Sequence, residues 1–170
     1  MKKLFIQNYF YNKFFIVIGI TILIAVFTLS IYAESYVNKY FAIINNKKIT
    51  LDIADNPESR EQGLMYVESM DENHGMLFIM EKHDFAAFWM KNMKIPLDLV
   101  FISGEKVVKI YNNVPACKIL PCEIYPSNYK VDLVLEVNAG YCEKYHIKSG
   151  QIVKYSPELL NRAHKAKKIY

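Results

Sequence analysis

The sequence lacks the short motifs by which the commonest enzyme sites are recognised. It has no Gly-x-Ser-x-Gly elbow, no His-Glu-x-x-His helix and no glycine-rich phosphate loop. Its four histidines form no pair at i and i+4, the spacing that places two metal ligands on one helix face: His74, His83, His146 and His164. We therefore assign no catalytic residue, no metal site and no cofactor from the sequence.

Basic charge is also scarce where a folded domain is expected. The chain has 21 Lys and Arg against 17 Asp and Glu, but seven of the basic residues lie near the two termini. This leaves 14 basic against 17 acidic side chains over residues 34–160. No basic stripe with interleaved aromatic residues is present, so we expect no nucleic-acid partner. The basic tail, residues 156–170, is either a solvated helix end or a contact with anionic lipid.

Charge is absent altogether from residues 14–32, FFIVIGITILIAVFTLSIY. About 20 apolar residues cross the hydrocarbon core of a bilayer, so this run predicts a membrane-spanning helix that makes the membrane a partner. Lys2, Lys3 and Lys13 precede it and no acidic residue does. Since basic residues stay on the cytoplasmic side, the rest of the chain is expected outside the cytoplasm.

A cleaved signal peptide is the alternative interpretation of residues 1–33. Ala33 could end it, but Ile31 stands where cleavage sites have a small residue. Under either interpretation a short linker, residues 34–40, leads to a globular domain over residues 41–155 that lies outside the cytoplasm. The protein is then a single-pass membrane protein, or a periplasmic or secreted one.

The chain has three cysteines, which in an oxidising compartment predict one disulfide and one free thiol. Three pairings are possible. We favour Cys117 with Cys122, the local choice, because Pro115 just before the first cysteine and Pro121 just before the second already bend this segment. Cys142 would then be free; as a catalytic thiol it would need a base, and His146 is the only local candidate.

Short apolar runs separated by turn residues recur about every ten residues, which favours a barrel-like or sandwich fold over a parallel α/β sheet. We predict an α+β fold: a mostly antiparallel or mixed, barrel-like β domain with two or three short helices, behind the N-terminal membrane-spanning helix. The predicted strands are residues 41–44, 49–53, 76–80, 85–92, 97–102, 106–113, 131–137 and 151–155. The predicted helices run from an Asp55 N-cap to Met65, over residues 139–146, and from Pro157 into the tail.

The segment Phe85–Ser103, FAAFWMKNMKIPLDLVFIS, places polar side chains among residues that favour burial. It contains the only tryptophan, Trp89, together with Lys91, Asn92 and Asp98. Polar groups in such surroundings need partners, so they serve either the structure or a site.

Five motifs in order resemble one protein family. They are Arg60-x-x-Gly63-Leu64-Met65, Gly75-Met76-Leu77-Phe78, Phe88-Trp89-Met90-Lys91-Asn92, Ile95-Pro96-Leu97-Asp98, and Leu135-Glu136 with Ala139-Gly140 and Gly150. The chain resembles the family called domain of unknown function 192, or uncharacterised protein family 0127. The resemblance implies a small, barrel-like α+β domain, often behind a signal peptide or anchor. It implies no reaction.

The chain departs from that family's pattern at three positions. Met93 stands where threonine is common, and Ala116 and Glu123 replace prolines that flank the cysteine loop in a subset of members. The resemblance of the loop to that subset is therefore partial.

The candidate ligand-binding residues are Arg60, Trp89, Lys91, Asn92, Asp98 and Glu136. Together they would form a pocket with an aromatic wall, cations and carboxylates that holds a small or anionic ligand of the cell envelope. The alternative is structural: a buried Arg60–Asp98 or Lys91–Glu136 pair that sets strand register.

Two further functions remain open. Met90 and Met93 could bind copper(I), a soft ion that prefers thioethers, although on one strand they would point to opposite faces. An envelope hydrolase would need Asp98 and Glu136 as an acid–base pair. Methionine also packs well in irregular cores, which is the commoner role.

Overall fold

The structure, a computed structural model, describes residues 16–30 and 39–168, and only the backbone of residues 166–168. Residues 16–30 form helix α1, whose apolar side chains are exposed. Within the described ranges, no helix combines the length and apolar character needed to span a bilayer. The predicted span, residues 14–32, extends past the described residues at both ends, and the membrane-spanning part of the predicted fold is not supported. Most of the predicted linker, residues 34–40, also lies outside the described residues.

The domain that begins at Lys39 is a compact unit of its own, built on one sheet. In the described part of the chain the sheet has seven strands in the order β5-β4-β6-β3-β2-β1-β7. Their bounds are β1 Phe41–Ile44, β2 Lys47–Ala54, β3 His74–Trp89, β4 Leu97–Ser103, β5 Lys106–Val114, β6 Ile124–Asn138 and β7 Val153–Tyr155. Strands β2 and β3 are parallel and the other pairs are antiparallel, so the sheet is mixed.

The first hairpin follows directly from its turn residues. Asn45 and Asn46, between β1 and β2, both have positive φ, 47° and 62°. Two-residue hairpin turns of this kind require positive φ at both positions, and asparagine tolerates that better than other side chains. The predicted hairpin is confirmed, with β2 beginning two residues earlier than expected.

Two of the predicted strands, residues 76–80 and 85–92, are one continuous strand, β3. The polar residues between them suggested a break, but β3 pairs with β6 on both sides of them, at Ile79 and at Asp84, and Lys82 and Asp84 are exposed. Strand β6 likewise begins at Ile124, where a loop was predicted. Register shifts between Ile79 and Asp84 interrupt the apolar alternation, which is why the pattern hid a long strand.

The helices of the domain are short: α2 Pro57–Gln62, α3 Tyr141–Lys144 and α4 Pro157–Lys168. The predicted N-cap of α2, Asp55, is wrong by one residue. Asn56 caps the helix, because its side chain accepts from the backbone N–H of Ser59 at 2.8 Å while the Ser59 hydroxyl accepts from the N–H of Asn56. Asp55 instead accepts two hydrogen bonds from Arg162 on α4, at 2.6 and 3.0 Å.

The sheet curls into a half-barrel with a core cluster on each face. Its two edges approach at an isolated bridge between Lys106 and Ile152. One cluster includes Leu135, Tyr141 and Leu159 and involves α3 and α4. The other includes residues of the 63–73 loop and of the 90–96 loop. The α+β, mixed, barrel-like fold is confirmed, with seven strands in the described residues rather than the eight expected.

Candidate functional site

A cavity of about 260 Å³ opens on the face of the second cluster, between α2 and the end of β3. Its walls come from three segments: α2 with the turn that follows it, strand β3, and the start of the 90–96 loop, with one residue of β6. The lining residues are Arg60, Glu61, Gln62, Gly63, Leu64, Met65, Phe78, Met80, Ala87, Phe88, Trp89, Lys91, Met93 and Glu136.

Glycine at position 63 lets the chain turn tightly over the cavity. Gly63 ends α2 with φ of 48°, in the region that disfavours other residues. A Cβ atom there would lie 3.2 Å from Cζ of Phe78, so the missing side chain also permits close contact with β3. The turn thereby holds Leu64, which is buried, and Met65 against the strand.

Arg60 projects from α2 toward β3. Its guanidinium donates to the carbonyl oxygen of Ile79 at 3.2 Å and to the carboxylate of Glu81. The side chain is only 15% exposed. Arg60 therefore ties α2 to β3 and places part of its positive charge on the cavity wall. Neither ion pair of the structural alternative, Arg60–Asp98 or Lys91–Glu136, is found among the described residues.

The aromatic wall predicted from the sequence is present at the end of β3. Phe88 packs edge-on against Phe78, with ring centroids 5.0 Å apart, and Trp89 remains 46% exposed. The ammonium group of Lys91 lies 5.1 Å from the centroid of the Trp89 ring, within the range of a cation–π contact. The chain's own lysine thus covers a face of the tryptophan beside the cavity.

Glu136, one of the six candidate residues, contributes a carboxyl group to the cavity wall. It is 4% exposed, and its Oε2 has no hydrogen-bond partner among the described residues. Its neighbours across the sheet are apolar: it is paired with Met76 on β3 and with Leu99 on β4. Burial raises the pKa of its carboxyl group from 4.5 to about 8. At neutral pH the carboxyl is mostly protonated, so it can donate as well as accept a hydrogen bond.

Asp98 is also buried but lies outside the cavity. Its carboxylate accepts hydrogen bonds from the backbone N–H groups of Asn113 at 2.7 Å, Gly140 at 3.0 Å and Cys142 at 2.8 Å. It joins β4 to the end of β5 and to the start of α3. Because Leu99 is the residue paired with Glu136, Asp98 points to the opposite face of the sheet.

The structure therefore brings four of the six candidate residues together: Arg60, Trp89, Lys91 and Glu136. Asn92 and Asp98 do not line the cavity. Asn92 adopts a positive φ of 59° in the turn after β3, and its amide contacts the Met65 sulfur at 3.6 Å. That turn, rather than a continuing strand, carries Lys91 and Met93 to the wall.

The methionines are arranged differently from the expectation. Met90 and Met93 belong to the same core cluster, because β3 ends at Trp89 and strand alternation no longer applies. Met93 lines the cavity with Met65 and Met80, whereas the buried Met90 does not. In the described residues, no three His, Cys, Asp or Glu side chains converge as metal ligands.

The predicted disulfide is present between Cys117 and Cys122, with Cα atoms 5.6 Å apart. Cys142 is free and 1% exposed. Burial, and next the nearby carboxylate of Asp98, raise the pKa of its thiol. His146 is exposed. Cys142 therefore has the environment of a core side chain rather than of a nucleophile.

Sequence reasoning missed most of the apolar lining and the partner of Arg60. Glu81 lies in the polar stretch that suggested a loop. Gly63, Met65 and Phe78 stand inside two of the five motifs, Arg60–Met65 and Gly75–Phe78, so the motifs themselves carried the signal. What could not be predicted was that these two segments face one another.

Comparison with known proteins supports the assignment of a family. The chain is similar to a candidate transcription regulator from Sinorhizobium meliloti 1021, with 33% identity, a TM-score of 0.62, and coverage of 68% of this chain and 91% of that one. It is similar also to a protein of unknown function from Novosphingobium aromaticivorans DSM 12444, with 26% identity, a TM-score of 0.63, and coverage of 67% and 83%. No functionally curated protein matches the chain. The sequence profile of domain of unknown function 192, described as an uncharacterized ACR, matches residues 41–155. The chain belongs to this family.

Proposed function

We propose that the domain is a binding module of the cell envelope that holds a small ligand in the cavity between α2 and β3. The observation that carries the proposal is the unpartnered, buried carboxyl group of Glu136 in the wall of that cavity. An unsatisfied buried polar group costs about 1–3 kcal/mol, and a ligand that bonds to it would remove that cost.

The size and chemistry of the cavity support a small ligand. Its volume of about 260 Å³ is just below the range of about 300–1,000 Å³ common for drug-sized ligands. Its walls are mostly apolar and aromatic, with a few polar groups: Arg60, Lys91 and Glu136 among them. Such a wall binds by apolar contact and orients the ligand by few hydrogen bonds.

Location outside the cytoplasm, with residues 14–32 as a membrane anchor, is part of the same proposal. It is supported by the uncharged run itself, by the basic residues before it, and by the disulfide, since disulfides persist in oxidising compartments. Protease added to spheroplasts should then digest the domain, and Cys117 and Cys122 should resist alkylation until a reductant is added. Protection of the domain, or free thiols at both positions in cells, would contradict the location.

A thermal-shift screen of small metabolites on the full chain tests ligand binding. At least one compound should raise the melting temperature and change the fluorescence of Trp89, the only tryptophan. The Glu136→Leu variant should lose both responses, whereas Glu105→Gln, an exposed control, should keep them. The proposal fails if no compound acts at millimolar concentration, or if Glu136→Leu responds like the wild type.

Copper(I) binding is the second candidate function. Met65, Met80 and Met93 line one cavity, and thioethers are the ligands that copper(I) prefers. This function predicts stoichiometric copper(I) uptake in a competition titration, lost in Met80→Leu and kept in Met90→Leu. Equal uptake by the two variants, or none by the wild type, would exclude it.

Two other functions have less support. The name of the Sinorhizobium meliloti protein suggests transcriptional regulation, but the excess of acidic over basic residues in 34–160 does not favour contact with DNA. An envelope hydrolase that uses Asp98 with Glu136 would need the two carboxyl groups in one site, and they lie on opposite faces of the sheet.

A further inference from the structure

We propose that the ligand of the cavity is a small carboxylate, held with its anionic group facing Arg60 and Lys91 and with Glu136 as its hydrogen-bond donor. This inference rests on the proposed binding function and names the class of ligand. It follows from the charged side chains of the cavity wall and from the carboxyl group of Glu136, which has no hydrogen-bond partner there among the described residues.

The first step concerns the donor. A buried carboxyl group that lacks a partner can bind a ligand either as the neutral acid or as the anion. The neutral form is favoured here, since Glu136 is flanked by Met76 and Leu99 and burial raises its pKa to about 8. A neutral acid that meets a carboxylate forms an O–H···O⁻ hydrogen bond, one of the strongest kinds in proteins.

The second step excludes a cation as the preferred ligand. An ammonium group in the cavity would meet the positive charges of Arg60 and Lys91. The aromatic face that would attract it is already in contact with Lys91, whose ammonium lies 5.1 Å from the ring centroid of Trp89. A cation would also require Glu136 to ionise against the desolvation that opposes its charge.

The third step concerns the other charged groups around Glu136. In the cavity wall they are Arg60 and Glu61 from α2 and Lys91 from the loop after β3. With Glu136 neutral, two positive charges and one negative charge line the cavity. Glu81 on β3 lies outside the lining but binds Arg60 and offsets part of its charge, so Lys91 is the lining cation that has no carboxylate bound to it in the described residues.

Further along the neighbouring strands, the titratable groups have partners of their own. His74, two residues before Met76 on β3, contacts the hydroxyl of Thr50 and the carboxylate of Asp52. Asp98 on β4 points to the other face. The lining therefore favours an anion as long as Glu136 keeps its proton.

Two series of probes test the class of ligand, and within each series the carbon skeleton is constant while the polar group changes. Butyrate, butyramide and butylamine, and likewise benzoate, benzamide and benzylamine, are titrated into the full chain and followed by calorimetry and by Trp89 fluorescence. Near pH 6.5 the carboxylates should bind at least about tenfold more tightly than the amides and amines. Above about pH 8 their affinity should fall about tenfold per pH unit, because binding then requires Glu136 to regain its proton. Calorimetry in two buffers at about pH 9 should show uptake of about one proton per ligand.

Glu136→Gln is the informative variant, because its amide remains neutral and can still donate. It should bind the carboxylates within about threefold of the wild type near pH 6.5 and should lose the decline above about pH 8. Glu136→Leu should lose binding, and Lys91→Gln should weaken it. Glu105→Gln, an exposed control, should match the wild type.

Opposite outcomes would overturn the inference. The ligand is a cation if the amines bind best, if affinity rises with pH, and if Glu136→Gln abolishes binding. In that case the proposed binding function stands, but the proposed class of ligand is wrong. If none of the six probes binds, small carboxylates are excluded as a class. The metabolite screen described above then decides separately whether the cavity binds anything else.

Discussion

The carboxyl group of Glu136 should make the stability of the domain fall as pH rises. Its pKa is 4.5 in a solvated chain and about 8 in the folded domain. The folded state therefore binds more protons than the unfolded state between these two values, and the free energy of unfolding decreases across that interval. The stabilising contribution is complete below about pH 4.5 and is lost as pH rises through about 8.

The size of the effect follows from the shift. Each pKa unit corresponds to about 1.4 kcal/mol, so the interval from 4.5 to about 8 amounts to about 5 kcal/mol. The expected slope within the interval is about 1.4 kcal/mol per pH unit. This is a large part of the stability of a domain of this size, which is typically about 5–15 kcal/mol.

Glu136→Gln isolates this effect, because the amide has nearly the same shape and does not titrate. Urea unfolding of the wild type and the variant at pH values from about 5 to 9 gives two stability curves, and their difference cancels the other titrating groups. The variant should gain several kcal/mol relative to the wild type between about pH 5 and 8. A difference that stays constant within about 0.5 kcal/mol would mean that Glu136 ionises without penalty, and the reasoning about the cavity would be refuted.

Three other perturbations test the structure around the site. Asp98→Asn should lose about 3 kcal/mol of stability in chemical unfolding, because one carboxylate oxygen is replaced by an NH₂ group that faces a backbone N–H; a loss no larger than that of the exposed control Asp84→Asn would contradict the role of Asp98 as an acceptor. Gly75→Ala should destabilise by more than about 2 kcal/mol, because its Cβ would collide with the backbone carbonyl oxygen of Glu136 on β6. Unchanged thermal stability of this variant would mean that β3 and β6 are not packed as described. Replacing Cys117 and Cys122 by serine should lower the unfolding free energy by about 2 kcal/mol, since a short loop is no longer closed. A reductant should lower the stability of the wild type by the same amount and leave the double variant unchanged. If both respond, the effect of the reductant does not come from this disulfide.

Local chemistry explains which parts of the fold could be predicted. Asn45 and Asn46 both adopt positive φ, and a two-residue turn of this kind joins its two flanking runs as a hairpin. Strands β4 and β5 and their turn also follow from apolar runs broken at Gly104. The prediction failed in the middle of β3, where exposed polar residues interrupt the apolar pattern, because the pairing with β6 depends on residues about fifty positions away.

The site was also predicted only in part, because some of its contacts join residues that are distant in the sequence. Trp89 and Lys91 are two positions apart in the chain, both were candidate residues of one pocket, and both line the cavity. A pair of Arg60 with Asp98 was one alternative, but Arg60 is bound to Glu81, in a part of β3 that the sequence pattern did not reveal. Pairing between charges depends on which strands are neighbours, and this is a property of the sheet order.

Asp98 and Glu136 show most clearly what the sequence decides and what the tertiary structure decides. The sequence by itself determined that both are acidic residues within apolar strands, and hence that both are buried and need partners. Only the tertiary structure decided that Asp98 receives three backbone N–H groups, from residues 15, 42 and 44 positions away in the chain. The same sheet gives Glu136 apolar neighbours and an open cavity. Hydrogen-bond donors must come within about 3 Å of an oxygen, and the folded arrangement of distant segments alone determines where they lie.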